Sequence, residues 1–267
     1  NILMTANADY EDSLNIRATY FITTHYIHDF VAGDFWTGYT PQRQYLLSKN
    51  MEIASHSVGH FPDMDIESIV AIGAPGNTVT NYLPHYNGNF TQGASVYGEV
   101  EVSKSLLDTE LGISIKSYRP GYLYQHNQQI NAMKDLGYKY SSSMSGNDVL
   151  TAFPYLAHKD MIFEGPLTDL YEIPMTISDA QVSDKVDSSN YPRHVARWLY
   201  CVEKNLANGA PTNVLIHPTR DFKITAERYF VSQLPNGLTF RTVEEFGDYW
   251  VMRNAVTYSS TIDSSNK

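Results

Sequence analysis

The sequence of 267 residues contains one cysteine, Cys201, few charged residues and no long apolar run. A single cysteine excludes an intrachain disulfide and a cysteine-rich zinc site, so a bound metal ion would need His, Asp or Glu ligands. No window approaches the roughly 18 apolar residues of a membrane-spanning helix, and no transmembrane segment is expected. Lysine and arginine number 19 against 29 acidic residues, which argues against a nucleic-acid partner because phosphate binding requires clustered basic side chains.

The composition is that of an ordinary folded protein. Hydrophobic residues make up 42% of the chain and charged residues 18%, which argues against disorder. Twenty tyrosines and three tryptophans are compatible with stacking on sugar rings as well as with core packing. The chain begins at Asn1 without an initiator methionine or a signal peptide. We expect residues 1–267 to form a single catalytic domain cut from a longer chain.

Short apolar runs alternate with helical patterns along the chain. Such alternation predicts a parallel sheet in a single β/α barrel, regular or distorted. Residues 61–93 are rich in glycine and proline and predict a long loop that forms a wall of a substrate cleft. The predicted strands are residues 2–4, 18–23, 51–54, 113–118, 138–143, 170–175, 213–216 and 238–242, and the predicted helices are residues 41–50, 94–111, 127–136, 194–205 and 243–250.

Two histidines four residues apart, His56 and His60, follow the apolar run at residues 51–54. If this segment turns helically, both imidazoles lie on one face and can hold one divalent metal ion. A chain with nine histidines also produces such a pair by chance. The spacing alone therefore does not decide between a metal site and two structural histidines.

Polar residues follow four of the predicted strands. Asp9 follows the first strand, the histidine pair follows residues 51–54, Arg119 follows residues 113–118, and His217 follows residues 213–216. Because the carboxyl ends of parallel strands meet at one rim of a barrel, these residues are expected to form one site. Asp9 has an alternative interpretation as part of a solvated acidic loop.

The sequence resembles the polysaccharide deacetylase superfamily, which comprises the NodB-homology domain of carbohydrate esterase family 4 and its relatives. The histidine and Arg-Pro motifs are fairly specific, whereas the other two matches are weak when taken alone. All four stand in family order. They are Ala-Thr-Tyr-Phe-Ile at residues 18–22, Glu-Ile-Ala-Ser-His-Ser-Val-Gly-His at residues 52–60, Tyr-Arg-Pro-Gly-Tyr at residues 118–122, and Val-Leu-Ile-His at residues 214–217.

The resemblance implies a distorted (β/α)7 barrel that holds one divalent metal ion on Asp9, His56 and His60. Zinc is the expected ion, with cobalt or nickel as alternatives. Three protein ligands leave open positions for water and for an acetamide oxygen, so the metal ion can polarise the carbonyl group and activate water.

The remaining roles also follow from the resemblance. His217 is expected to protonate the departing amine, and Arg119 is expected to orient the acidic loop around Asp9. A backbone N–H near Tyr122 is expected to bind the oxyanion, which makes Tyr122 a candidate substrate-binding residue.

The chain departs from the family pattern in its first motif. The family has Thr-Phe-Asp-Asp-Gly, whereas residues 5–9 read Thr-Ala-Asn-Ala-Asp. One carboxylate remains, so the base is unassigned: Glu11, Asp12 or another group takes this role, or the role is lost. A longer helix normally separates this motif from the second strand, which predicts that residues are missing near Ser13. The family's Asp-x-x-Asp-Trp signature is also absent near residues 140–148.

The expected function is metal-dependent de-N-acetylation of an N-acetylhexosamine polysaccharide, outside the cell or in the cell envelope. The divergent first motif is similar to that of galactosaminogalactan-type exopolysaccharide deacetylases. Two alternatives stay open, a catalytically inactive carbohydrate-binding barrel and a metal-dependent amidohydrolase of small cyclic amides. An open aromatic groove would favour a polymer, and a closed pocket would favour a small substrate.

Overall fold

The computed structural model describes residues 2–25, 40–145, 152–180 and 184–259. Ten short strands and seven α-helices are present in these ranges. The strands are β1 (Thr19–Ile22), β2 (Glu52–Ser55), β3 (His85–Tyr86), β4 (Thr91–Gln92), β5 (Ser117–Tyr118), β6 (Tyr140–Ser141), β7 (Tyr155–His158), β8 (Leu167–Glu172), β9 (Ile177–Ser178) and β10 (Val214–Leu215). The helices are α1 (Ile2–Ser13), α2 (Thr40–Ser48), α3 (Val96–Leu111), α4 (Gln129–Asp135), α5 (Tyr191–Ala207), α6 (Asp221–Ser232) and α7 (Val243–Asn254).

The main sheet has the strand order β1-β2-β5-β6-β8-β7. Every pair in it is parallel except β7 with β8. Strands β9 and β10 form a separate parallel pair, and Met175, just before β9, pairs with Ser145 just after β6. Within the described ranges no ladder joins β10 to β1. The predicted α/β class is confirmed, and the carboxyl ends of the parallel strands share one rim.

Most of the predicted elements are present. Residues 18–23, 41–50, 94–111, 194–205 and 243–250 all fall on the predicted type of element, with boundaries shifted by a few residues. The predicted strand at residues 238–242 is wrong, because this segment is a loop that ends in the N-terminal cap of α7. Strand β7 and helix α6 were not predicted.

Helix α3 shows how local sequence sets the limits of an element. The Ser95 side chain accepts a hydrogen bond from the Gly98 N–H and caps the first turn. At the other end Gly112 has φ 65°, the left-handed conformation that ends many helices and that glycine adopts without strain. The predicted end of this helix at Gly112 is therefore confirmed.

Helix α7 covers the amino ends of the strands. The Val243 N–H donates to Thr19 Oγ1 at 2.7 Å, and the Glu244 N–H donates to Glu52 Oε2 at 2.9 Å. These contacts close the end of the sheet opposite to the rim with the strand carboxyl ends. The rim is therefore the end that is available for a site.

The predicted loop at residues 61–93 is present, with only the short β3–β4 hairpin inside it. It packs against α3 because the Gly76 and Asn77 N–H groups donate to the Glu101 carboxylate at 2.9 Å and 2.7 Å. None of the described helices is both long and apolar enough to cross a membrane.

Residues 2–4 begin helix α1 and do not form the predicted first strand. Leucine, methionine and alanine are strong helix formers, and a short apolar run does not distinguish a strand from a helix. Asn7, Ala8 and Glu11 are buried, so one face of the helix is packed. The Leu14 and Ile16 N–H groups both bond to the Glu11 carbonyl in a continuous turn that leads to β1.

The turn leads directly from α1 into β1, and the absence of residues near Ser13 stays a prediction. Helix α1 takes the place of the helix that the resemblance puts before the second strand. The match of residues 5–9 to the first motif is therefore wrong.

A buried acidic pair joins α1 to α6. The Asn7 amide donates to both carboxylate oxygens of Glu227 at 3.1 Å, and the Tyr20 hydroxyl donates to Glu11 at 2.7 Å. Burial raises the pKa of Glu11, and the charge of Glu227 raises it further. Burial likewise raises the pKa of Glu227. The pair therefore retains a proton above the usual carboxyl range.

Replacing Glu227 with glutamine is expected to weaken the pH dependence of stability. Because the carboxyl pKa is raised in the folded protein, the unfolded chain releases this proton at a lower pH than the folded protein does. The free energy of unfolding therefore falls as the pH rises from the ordinary carboxyl pKa through the raised pKa. Between about pH 5 and about pH 9, we expect the free energy of unfolding of Glu227→Gln to fall by less than that of the wild type. The difference should exceed about 1 kcal/mol, since one pKa unit corresponds to about 1.4 kcal/mol. Urea unfolding at both pH values measures this, with the exposed Glu203→Gln as control. Equal losses in the variant and the wild type would contradict the assignment.

Candidate metal and catalytic site

The two histidines lie on a loop directly after β2, not on a helix. Ser57 and His60 both have positive φ, 67° and 52°, and the chain bends sharply at these residues. This bend brings the rings of His56 and His60 together, with centroids 4.9 Å apart and planes at 68°. The predicted helical turn is wrong, but the loop brings the two imidazoles together.

Glu99 on α3 holds this loop in place. Its Oε2 accepts from the Val58 and Gly59 N–H groups at 2.9 Å and 2.8 Å, and its Oε1 accepts from the Tyr82 hydroxyl at 2.7 Å. Burial raises the pKa of Glu99 to about 7. Glu99 was missed in the sequence, although it interrupts the apolar stripe that includes Val96 and Val100 on the predicted helix.

Both histidines are in the state that metal binding requires. His56 Nδ1 lies 2.8 Å from the Arg119 carbonyl, so Nδ1 carries the hydrogen and Nε2 keeps its lone pair. Burial lowers the pKa of His56 well below its usual value, and burial lowers that of His60 to about 4. Two neutral imidazoles at neutral pH are suitable ligands for a divalent metal ion.

Arg119 is buried at the ends of β5 and β6. Its guanidinium donates to the Ser142 carbonyl at 2.7 Å and to the Ser142 hydroxyl at 2.8 Å, and it lies 4.0 Å from the centre of the Phe21 ring. Burial lowers the pKa of Arg119 to about 9. The prediction that Arg119 orients an acidic loop around Asp9 is wrong, because this side chain joins neighbouring strand ends.

Tyr122 lies beside the histidines in the turn that follows Arg119. Its ring centroid is 4.4 Å from that of His60, and the Tyr124 ring stacks on it with the centroids 5.6 Å apart. Both tyrosines are partly exposed. Gly121 permits this approach, since a Cβ atom there would lie 2.7 Å from His60 Cα.

Replacing Gly121 with alanine is expected to displace His60 and lower activity by about tenfold or more, because misplacement by about 1 Å can cost about a hundredfold. The added methyl group is also expected to destabilise the fold by about 1–3 kcal/mol. Gly137→Ala is the control: Gly137 has φ 83° and open space around it, so alanine there strains the backbone away from the site. A Gly121→Ala variant with wild-type kcat would contradict the packing argument.

His217 follows β10 and is held by Asp179. Its Nδ1 lies 2.5 Å from Asp179 Oδ1, and its backbone N–H donates to Oδ2 at 2.9 Å. Lys223 Nζ lies 3.0 Å from the same Oδ2. Burial opposes ionisation of Asp179, but the hydrogen bond and charge of His217 and the charge of Lys223 outweigh it and lower its pKa. His217 follows the carboxyl end of a parallel strand, as the histidine pair does, and its charge is a minor cause of the lowered pKa of His60.

Asp179 was missed in the sequence. A carboxylate directly after a short apolar strand is the signal that was available, because the other site residues also follow strand ends. The fully buried Asp179 orients the imidazole of His217, whose side chain is 40% exposed.

The structure does not bring Asp9 to the histidines. Asp9 lies on the outer face of α1, where it accepts from the Tyr45 hydroxyl at 2.5 Å and lies 3.3 Å from Lys49 Nζ. Lys49 precedes β2, whereas His56 follows it, so Asp9 lies near the opposite end of that strand. The prediction of Asp9 as a metal ligand is therefore corrected.

Within residues 2–25, 40–145, 152–180 and 184–259, no group of three His, Cys, Asp or Glu residues is placed to hold a metal ion. His56 and His60 fit two positions of such a site. The described ranges supply no third protein ligand beside them.

No family model matches the sequence, and no curated protein matches it. Solved structures do match the fold. A protein from Mycobacterium smegmatis assigned to the polysaccharide deacetylases has a TM-score of 0.63 and 16% identity, with 98% of this chain and 82% of the other covered.

Two further solved structures cover nearly the whole chain. Puue allantoinase has a TM-score of 0.63 and 12% identity over 95% of this chain and 74% of its own. Peptidoglycan deacetylase PdaC from Bacillus subtilis has a TM-score of 0.52 and 14% identity over 96% of this chain and 88% of its own.

The fold and the rim site define an α/β protein of the distorted barrel type, with its polar residues at the carboxyl ends of the strands. This fold is shared with solved polysaccharide and peptidoglycan deacetylases and with an allantoinase. The fold that the sequence motifs implied is confirmed.

Proposed function

We propose that the protein is a metal-dependent deacetylase that removes N-acetyl groups from an N-acetylhexosamine polysaccharide and releases acetate. The observation that carries this proposal is that a histidine pair and a third histidine, oriented by Asp179, all follow the carboxyl ends of parallel strands. This arrangement lies at one rim of a fold shared with polysaccharide and peptidoglycan deacetylases. We also propose that the protein acts outside the cell or in the cell envelope, where such polymers occur.

His56 and His60 would hold the metal ion. Zinc suits two imidazole ligands, and cobalt or nickel can replace it. When bound, the ion supplies Lewis acidity to an amide carbonyl and lowers the pKa of water.

His217 is the proposed general acid. Its Nδ1 faces Asp179, so Nε2 is the atom that can deliver a proton to the departing amine nitrogen. The buried carboxylate fixes the direction of the ring. Lys223 shares this carboxylate.

Tyr122 is the proposed contact for the sugar ring that carries the acetyl group. Its exposed aromatic ring lies against His60, so a sugar that packs on it lies next to the proposed metal position. Arg119 does not contact substrate in this proposal and instead fixes the strand ends that carry the site.

Hydrolysis of small cyclic amides is the second candidate. The similarity to the allantoinase has the same TM-score, 0.63, as the similarity to the M. smegmatis protein. The two proposals differ in the substrate and share the reaction type, attack of water on an amide carbonyl.

The test is release of acetate from chitin-like, galactosamine-type and peptidoglycan polymers after addition of zinc, cobalt or nickel, with allantoin tested in parallel. We expect acetate release from at least one polymer. Hydrolysis of allantoin alone would favour the second candidate. Polymer binding without hydrolysis would identify an inactive carbohydrate-binding barrel.

A further inference from the structure

A cleft of about 190 Å³ lies between the β7–β8 hairpin and the segment that leads into α4. The proposed reaction does not use it. Its walls are mostly apolar and aromatic, with a few polar groups, which is the usual character of a site for a small ring. The lining residues that matter here are Gln125, Tyr155, Met161, Phe163 and Glu172.

The turn of the hairpin is fixed in a strained conformation. Asp160 and Met161 both have left-handed backbone angles, φ 57° and 56°, which cost roughly 1–2 kcal/mol per residue for side chains other than glycine. The Asp160 carboxylate accepts from Gln128 at 2.8 Å and from Asn131 at 2.6 Å. These bonds tie the turn to the N-terminal end of α4 and hold Met161 at the cleft.

Two aromatic rings of the cleft are open to solvent. Phe163 is 85% exposed and Tyr155 is 44% exposed. The face of a pyranose ring that presents C–H groups packs well on such rings. Exposed aromatic side chains around a preformed cleft indicate a binding surface.

Gln125 supplies a polar group that lacks a partner. Its Nε2 is buried, and in the part of the chain that the structure describes no acceptor bonds to it. A buried donor without a partner costs about 1–3 kcal/mol, which a hydroxyl or acetamido oxygen of a ligand would recover.

The part of the cleft formed by Gln125, Tyr155 and Glu172 lies at the same rim as the histidines, whereas the turn with Met161 and Phe163 precedes the first residue of β8. Gln125 directly follows the stacked pair Tyr122 and Tyr124, and Tyr122 contacts His60. Glu172 ends β8, three strand positions from β2, which corresponds to roughly 14 Å at the usual strand spacing. This separation is longer than one sugar ring, and a short oligosaccharide is long enough to span it.

We propose that this cleft binds a pyranose ring of the same polysaccharide chain, outside the unit that loses its acetyl group. Phe163 and Tyr155 contact the face of the ring, and Gln125 donates to one of its oxygens. The inference rests on the proposed function for the identity of the polymer, and on the cleft alone for the binding of a sugar.

The test measures binding and turnover separately. Calorimetry with metal-free protein gives the affinity for the pentamers of N-acetylglucosamine and N-acetylgalactosamine and for the two monomers. We expect Phe163→Ala and Gln125→Leu to weaken pentamer binding about three- to tenfold, the effect of losing one stacking contact or one hydrogen bond. Binding of either monomer at the cleft is expected to weaken in the same two variants. Ile162→Ala is the matched control, since Ile162 is exposed in the same turn but does not line the cleft.

Absence of pentamer binding, or variants that bind pentamers as tightly as the wild type, would overturn the proposal. Pentamer binding that is sensitive to both variants, without acetate release from the metal-loaded protein, would support the cleft and reject the proposed reaction. With an active enzyme, the variants are expected to raise KM for the pentamer and leave kcat unchanged.

Discussion

His60→Ala is expected to reduce zinc binding and acetate release to background while the protein remains folded. The His60 imidazole is one of the two proposed nitrogen ligands at the rim, and loss of either imidazole would leave only one of them for the ion. Isothermal calorimetry with zinc and an acetate assay measure the two losses, and circular dichroism checks the fold.

The matched control for this variant is His85→Ala, which removes an exposed histidine from the β3–β4 hairpin. It should bind zinc and release acetate as the wild type does. His56→Ala repeats the test at the second ligand and keeps it decisive if one variant fails to fold. Full activity in either ligand variant would reject the site.

His217→Ala is expected to lower kcat by about a hundredfold or more, the usual consequence of removing a general acid. Zinc binding should persist, because Nδ1 of His217 faces Asp179 and its ring is not one of the paired ligands. Steady-state kinetics and zinc calorimetry on the same preparation separate the two effects. An unchanged kcat would assign the proton to another donor.

Asp179→Asn tests the orientation of the same imidazole. The amide keeps the size of the side chain but removes the carboxylate that holds the imidazole through Nδ1. We expect a lower kcat with KM nearly unchanged, and a change in the pH dependence of kcat. A variant that alters KM alone would indicate a purely structural role for Asp179.

Much of the fold was predictable from short-range patterns. Residues 18–22 combine β-branched and aromatic side chains, and α3 ends at a glycine in the left-handed conformation. The first strand was mispredicted because a three-residue apolar run fits a helix equally well. Asn7 and Glu11 are buried on one face of α1, where they contact α6 and β1. This tertiary packing stabilises the helix and is not visible in the local sequence.

The site was predictable in part. His56, His60, Arg119 and His217 follow strands, and parallel strands bring them to one rim, as a pattern of strand ends implies. Asp179 and Glu99 act through contacts with residues 38 and about 40 positions away, which no local pattern encodes. The strained backbone at His60 is equally invisible in the sequence, since it depends on the hydrogen bonds of the loop to Glu99.

The most direct test of the central claim is zinc-dependent acetate release by the full-length protein from N-acetylhexosamine polymers. After treatment with a chelator, the protein should release no acetate, and added zinc should restore release in the wild type but not in His60→Ala. Asp9→Asn should behave as the wild type, because Asp9 bonds to Tyr45 on the outer face of α1. Release that survives the chelator, or that is lost in Asp9→Asn and retained in His60→Ala, would contradict the account.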